Sequence, residues 1–366
     1  MRAWTVTRNG LELDAHRPAP SAAVTGNNLL LRVRYAGLNP ADLALMSTIP
    51  SWLPWRRHPT AGLDFVGEVL TAGLGAQPPT LSKPGTLVCG ALGVRQVFFG
   101  AGTLAEAIVV PADLVAAVPA QFLSSLSSTR TTEEGSGGKS ECDNKHIRAA
   151  VGLGVAGQTA ALVMREAEAD GVGKVRTWDG LRVLVNGASG GVGSILVQVA
   201  KARGAYVNGL CSGANAEMVR RLGADMVIDY TAHQDLYRAI AESTQDHGVD
   251  LVVDCVGDDA LYTRSPGYLR PDGRFLSIVG GASQGIYPFL MHQIRPVLLG
   301  GTPRHYKILG MAPSGAGARE VAGWIEKGDL REILVDSEFA MDEVLEAYEK
   351  VASKRARGKV VVRIGE

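Results

Sequence analysis

One segment constrains this chain more than any other: Val183-Leu-Val-Asn-Gly187-Ala-Ser-Gly190-Gly-Val-Gly193. An apolar run that reads as a buried strand passes through a glycine-rich turn directly into a helical pattern. Each glycine has its own physical task. Gly187 permits the tight turn, Gly190 lets the backbone approach a pyrophosphate, and Gly193 lets the helix pack closely on the strand. The helix N-terminus then offers unpaired N–H groups and the positive end of its dipole to phosphates. The predicted ligand is a dinucleotide, held by Gly187, Ala188, Ser189, Gly190, Gly191, Val192 and Gly193. A GxxGxxG turn also occurs without a ligand, and it is the strand-turn-helix context that selects the binding reading.

The next strand bears on which dinucleotide. Tyr206–Cys211 reads as that strand, and Ser212-Gly213-Ala214-Asn215 follows it. About 20 residues past the glycines, a Rossmann fold that reads the ribose 2′-hydroxyl of NAD places an acidic residue. None stands here. The absence favours NADPH, with Ser212 and Asn215 as donors to its 2′-phosphate. Arg220 and Arg221 are the nearest cations and read as a solvated helix face. A methyltransferase of similar topology also needs an acid at this point and is disfavoured for the same reason.

The pattern around this unit divides the chain. From residue 181 to 279, strands (Leu181–Asn186, Tyr206–Cys211, Met226–Asp229, Leu251–Cys255, Gly273–Val279) alternate with helices (Val192–Arg203, Ala216–Leu222, His233–Gln245). That alternation predicts a parallel sheet covered on both faces. The first third is β-rich instead, with strands predicted over Ala3–Val6, Asn28–Ala36, Gly62–Ala72, Thr86–Cys89 and Gly102–Val110. In Asn28–Ala36, Leu29, Leu31, Val33 and Tyr35 alternate with Arg32 and Arg34, the pattern of a half-buried strand. Ser124–Ser140 holds Ser, Thr, Glu and Gly with almost no apolar residues after Leu126, and is expected to be a mobile insertion. The end returns to helix (Ala318–Lys327, Met341–Ala352) and a basic strand, Lys359–Ile364.

A length of 366 residues suits two domains. Lys plus Arg and Asp plus Glu each total 37, so no net field invites nucleic acid or an anionic membrane. Cys89, Cys142, Cys211 and Cys255 form no CxxC pair and suit reduced thiols in a cytoplasmic protein. The opening residues lack the apolar stretch of a signal peptide, and no uncharged apolar run is long enough to span a bilayer.

The order of motifs resembles a family. Tyr35-Ala-Gly-Leu-Asn-Pro-Ala-Asp42, Ala61-Gly-Leu-Asp-Phe-Val-Gly-Glu68, Gly157-Gln-Thr-Ala160, the glycine turn, Leu222-Gly-Ala-Asp225 with Ile228-Asp-Tyr230, Asp254-Cys-Val-Gly257 and Arg355-Ala-Arg-Gly-Lys359 occur in sequence. Together they look like the zinc-lacking branch of the medium-chain dehydrogenases/reductases, with its quinone oxidoreductases and fungal trans-acting enoyl reductases. The resemblance implies an α/β fold: a Rossmann doubly wound parallel sheet inserted into a β-rich GroES-like domain. The expected segments are 1–150 (GroES-like catalytic domain, first part), 151–310 (Rossmann domain) and 311–366 (return to the catalytic domain). It further implies that Asn39 touches the nicotinamide end of the cofactor, and that Thr159 bonds the nicotinamide amide. Tyr230 would stack near the 2′-phosphate, and Val256, Gly257, Val279 and Gly280 would end strands at the ligand crevice. Lys359 would contact the cofactor. Members of the branch are often dimers, so a homodimer is one implied assembly.

The same resemblance bears on metal. Zinc members carry Cys where this chain has Asn39, and a His-Glu pair where it has Leu63-Asp64. Zinc needs three or four converging N or S ligands, so no metal is expected. Without a Lewis acid, alcohol oxidation fits poorly. The chemistry expected is hydride transfer from NADPH to an activated C=C bond of an enone or enoyl thioester, or to a quinone. The substrate is a small molecule or is carrier-bound. Quinone and enoyl reduction stay unseparated, and a catalytically silent cofactor-binding partner protein of the same fold is the alternative. No proton donor is identifiable. Tyr35 reads as a core residue, and the loop Ser51-Trp-Leu-Pro-Trp55 carries no Tyr. Trp52 and Trp55 read equally as an apolar substrate mouth or as surface packing.

Overall fold

The computed structural model describes residues 1–8, 10–21, 24–50, 52–53, 55–56, 59–123, 146–169, 177–244, 248–279 and 291–365. The predicted insertion at Ser124–Ser140, together with Cys142, lies outside them.

The chain forms two compact units. The first comprises Met1–Gln158, Ala312–Gly328 and Ile333–Glu366. Its centre is β3 (Asn28–Leu38), which pairs antiparallel with β4 (Asp64–Ala72), β6 (Ala107–Pro111) and the late strand β15 (Lys359–Arg363). The full sheet runs β14 (Val335–Ala340), β15, β3, β4, β5 (Leu87–Ala91), β7 (Val115–Ala117), with β6 on β3. β1 (Ala3–Thr7) and β2 (Gly10–Asp14) form a separate hairpin. Three partners explain why β3 is less half-buried than its alternation predicts. Leu29, Leu31 and Val33 face the core as expected, but Leu30, Ala36 and Leu38 are covered too. Arg32 keeps one wet position, where it and Arg34 pair with Glu68. Phe65, Leu29, Leu31 and Leu104 are fully enclosed, each contributing about 1.5–3 kcal/mol by burial.

The second unit comprises Thr159–Met311 and Asp329–Glu332. Its six strands are β8 (Arg182–Asn186), β9 (Tyr206–Cys211), β10 (Met226–Asp229), β11 (Val249–Asp254), β12 (Leu269–Ser277) and β13 (His305–Ile308). All pairs are parallel, in the order β10-β9-β8-β11-β12-β13. Renumbered from the first strand, this is 3-2-1-4-5-6, the doubly wound Rossmann order, with its reversal between β8 and β11. Ligands in such sheets bind beyond the carboxyl ends of the strands at that reversal. Among the described residues, no single helix is long and apolar enough to cross a membrane.

Some local expectations shift. The predicted strand at Gly102–Val110 begins only at Ala107, after a bend that ties Leu104 to Ala61 and Trp4. β2 and β7 were not anticipated, since both are short and carry no clean alternation.

Candidate functional site

The glycine turn takes the form its spacing predicts. β8 ends at Asn186, and Gly187 adopts φ 79°, a left-handed conformation that favours glycine. The N–H groups of Gly187 and Ala188 both donate to Leu210 O on β9 at 3.1 Å, tying the turn to the neighbouring strand. A Cβ on Gly193 would lie 2.1 Å from Gly187 O, and one on Gly187 would lie 2.9 Å from Val256 Cγ2. These two glycines are therefore demanded by packing. At Gly190 a Cβ would meet only Gly187 O, at 3.3 Å, so the space above it is open. The helix Gly191–Ala202 starts there with Gly190 at its cap. Its first-turn N–H groups lie outside the i to i−4 ladder, as at any helix start. The cradle fits a pyrophosphate.

Three further groups surround the turn within this unit. Asn215 Nδ2 donates to Ser189 Oγ at 3.1 Å, joining two predicted site residues. Ser212 caps the single turn Gly213–Asn215. Tyr230, 51% exposed, follows β10 and donates its N–H to Cys211 O. A carboxylate does stand beside this turn, but from β10 rather than β9. A Cβ on Gly213 would lie 2.2 Å from Asp229 Oδ2. Hydrogen bonds from Thr231 and from the Gly213 N–H hold Asp229 below the usual carboxylate range. Reading β9 alone could not find it.

The β11 end is organised by one side chain that sequence reasoning named only as part of a motif. Asp254 is buried, and its carboxylate accepts from Asn186 Nδ2 (2.9 Å) and from the N–H groups of Val256 (2.9 Å), Gly257 (3.0 Å) and Asp258 (3.0 Å). Burial raises its pKa against the pull of these donors. Val256 stays largely exposed and Gly257 takes φ 87°. Val279 O accepts from Ser277 Oγ at 3.4 Å, whereas Gly280 lies outside the described residues. Thr159 is buried in the first half of the helix Val155–Glu168.

The first unit holds a second cluster, built from positions far apart in sequence. Lys359 Nζ donates to Asn39 Oδ1 (2.7 Å), Asp64 Oδ2 (2.8 Å) and Leu38 O (3.1 Å). Its three N–H groups are thereby all accounted for. Asn39 Nδ2 donates to Asp64 Oδ2 at 2.9 Å, and Asp64 Oδ1 accepts from the Val155 N–H at 2.7 Å. Lys359 and Asn39, both expected at the cofactor, thus spend their polar atoms on each other and on Asp64. This donor set does not suit zinc. An amide and an ammonium surround the one carboxylate, and Leu63 offers no ligand. Among the described residues, no three His, Cys, Asp or Glu side chains gather as metal ligands.

Asp42 sits next to this cluster, in the first turn of the helix Pro40–Thr48. Its Oδ2 accepts from the Asn39 N–H at 3.0 Å and from Tyr348 OH at 3.5 Å. Burial and the nearby Asp64 charge push its carboxyl up to about 8, against the opposing pull of the Asn39 N–H and Lys359. Tyr35 is a core residue whose burial pushes its phenol up to about 12. Trp52 and Trp55 are exposed, and the Trp55 ring lies 5.7 Å from that of Phe98. Cys89, Cys211 and Cys255 carry free thiols, and burial pushes Cys89 up to about 12.

Known proteins match along the whole chain. The family described as "Alcohol dehydrogenase GroES-like domain" matches residues 25–120, and that described as "Zinc-binding dehydrogenase" matches residues 222–362. The medium chain reductase pydE of an Acremonium species is 35% identical over 100% of this chain and 99% of its own length. The trans-enoyl reductase poxH of Penicillium oxalicum is 33% identical over 100% and 98%. Among solved structures, the Escherichia coli quinone oxidoreductase complexed with NADPH superposes with a TM-score of 0.74 at 19% identity, covering 99% of each chain.

Proposed function

The chain belongs to the medium-chain dehydrogenase/reductase family, and from that premise we propose that it is an NADPH-dependent, metal-free reductase. Its substrate is an activated C=C bond, in an enone or enoyl thioester, or a quinone. Two full-length relatives named medium chain reductase and trans-enoyl reductase support a reductase, and the second favours an enoyl substrate. The observation that carries the metal-free part is the Lys359 ammonium 2.8 Å from Asp64, at the position where zinc members of the family gather ligands. NADPH is favoured over NADH because Ser212, the residue that follows β9, is not an acid.

When bound, the nicotinamide supplies the hydride. The protein's own residues do the rest. Gly187 to Gly193 seat the pyrophosphate, with Ser189 braced by Asn215. Asp254 holds the Val256–Gly257 loop where its strand meets the crevice. The proposal includes a substrate that is free or carrier-bound, a homodimer, and a cytoplasmic location.

The test is NADPH consumption with a quinone, an enone and an enoyl thioester, before and after dialysis against a chelator. Turnover of one of them, undiminished by the chelator, is expected. Tight NADPH binding with no turnover of any would identify a silent binding protein. Tighter binding of NADH than of NADPH would overturn the cofactor assignment.

A further inference from the structure

Asp229 closes β10, and β10 runs parallel to β9 with Asp229 level with Cys211. That register carries a carboxylate from the third strand of the unit to the turn that follows the second. Asp229 Oδ1 accepts from the Thr231 N–H at 2.8 Å and from Thr231 Oγ1 at 2.7 Å. The other oxygen faces the turn, where a Cβ on Gly213 would lie 2.2 Å from Oδ2. Glycine at 213 is what lets the carboxylate come up against the backbone there.

This turn is tied to the phosphate cradle. Asn215 donates its N–H to Ser212 O at 2.8 Å and its Nδ2 to Ser189 Oγ at 3.1 Å. A dinucleotide whose pyrophosphate lies on such a cradle has its ribose read at the end of the second strand. Asp229 therefore stands beside the place where the 2′ group is read. Its charge is intact. The groups that hold its carboxyl below the usual range are chiefly uncharged donors, Thr231 and the Gly213 N–H, with a smaller pull from His233. Cys211 registers the local balance. Burial pushes its thiol up to about 11, and the Asp229 charge adds more to that rise than Arg220 takes away. The field at the end of β9 is negative.

We propose that Asp229 is a specificity-determining residue for the cofactor. Its carboxylate repels a 2′-phosphate and so narrows the preference for NADPH that the missing acid after β9 creates. This rests on the dinucleotide reading of the cradle and deepens the NADPH assignment above. A 2′-phosphate carries roughly −1.5 to −2 charge, whereas NADH has a neutral hydroxyl at the same position. The carboxylate thus acts on one cofactor and scarcely on the other.

The test is titration of NADPH and of NADH, without substrate, into the unaltered protein and Asp229→Asn. The amide keeps an oxygen that can accept from Thr231 and loses the charge. NADPH affinity should rise about 3- to 10-fold while NADH affinity changes by less than about 2-fold. The gain should shrink between about 0.05 M and about 0.5 M NaCl, as screening of a like-charge pair requires. Asp229→Ser, also neutral, should change the ratio of affinities in the same direction, which keeps the test decisive if Asp229→Asn does not fold. A ratio unchanged in the variants overturns the proposal. Equal changes for both cofactors overturn it too, and mark Asp229 as a structural brace of the turn. Binding of neither nucleotide by the unaltered protein would instead overturn the dinucleotide reading itself.

Discussion

Lys359 Nζ lies 2.8 Å from Asp64 Oδ2, with the two side chains 3% and 0% exposed and 295 residues apart in the chain. Both charges sit inside the first unit, and Asn39 bridges them through both ends of its amide. On the proposed metal-free reading, this cluster stands where zinc members of the family would gather ligands. A fixed ammonium is attractive to a carboxylate and repulsive to a divalent cation.

Removing one partner leaves the other charge buried and unpaired. Lys359→Met is expected to destabilise the protein by about 3–5 kcal/mol, read as a lower urea midpoint. Pairing it with Asp64→Asn should recover part of that loss, because the amide can still accept from the Val155 N–H. A double variant as unstable as the sum of the two singles would contradict the pairing.

Asp42 gives a pH dependence of stability with a definite sign. Its folded pKa is raised from an ordinary 3.8 to about 8, so the folded state keeps a proton that the unfolded chain releases. Its contribution is therefore fully present below about pH 4 and is lost as pH rises towards 8. Asp42→Asn carries no proton to lose. Denaturation of the two proteins at pH 5 and pH 8 should show the variant gaining on the parent as pH rises. A constant difference would rule the raised pKa out.

The two cradle glycines Gly190 and Gly193 should fail differently. Gly193→Ala places a methyl 2.1 Å from Gly187 O, so both thermal stability and dinucleotide affinity should fall. Gly190→Ala meets only one atom, at 3.3 Å, so the fold should hold while the methyl blocks the approach of the pyrophosphate. Melting curves and NADPH titrations of both variants separate the effects.

Ser212→Asp puts an acid at the end of β9. It should weaken NADPH binding roughly 10- to 100-fold, the equivalent of about 1.4–3 kcal/mol, and leave NADH binding nearly unchanged. Equal losses for both cofactors would mean that Ser212 does not face the 2′ position.

The sheet of the second unit was largely legible along the chain. Tyr206–Cys211, Ala216–Leu222 and Met226–Asp229 appear with the bounds expected of them. In a βαβ unit each element is local, and Gly204 and Gly223, both at positive φ, mark the stops. β13 and β14 were not legible. Their residues are half-exposed and lack a clean period, and they become strands because a neighbour's edge offers hydrogen bonds. The site divides the same way. Ser189 and Asn215 were each legible as site residues from the Rossmann pattern, but their mutual hydrogen bond was not, nor was Asp229 beside Gly213, which arrives from the third strand of the unit.

The sequence by itself determined that this chain builds a dinucleotide cradle, because every group needed lies within one strand, one turn and one helix start. Steric limits on Gly187 and Gly193 act between neighbours and need no distant partner. Only the tertiary structure decided how Asn39, Asp64 and Lys359 meet and where a buried acid stands. Asn39, Asp64 and Lys359 carry no shared periodicity. They meet because β15 pairs with β3 beside β4, and burial leaves the Lys359 and Asp64 charges and the Asn39 amide no solvent as an alternative partner.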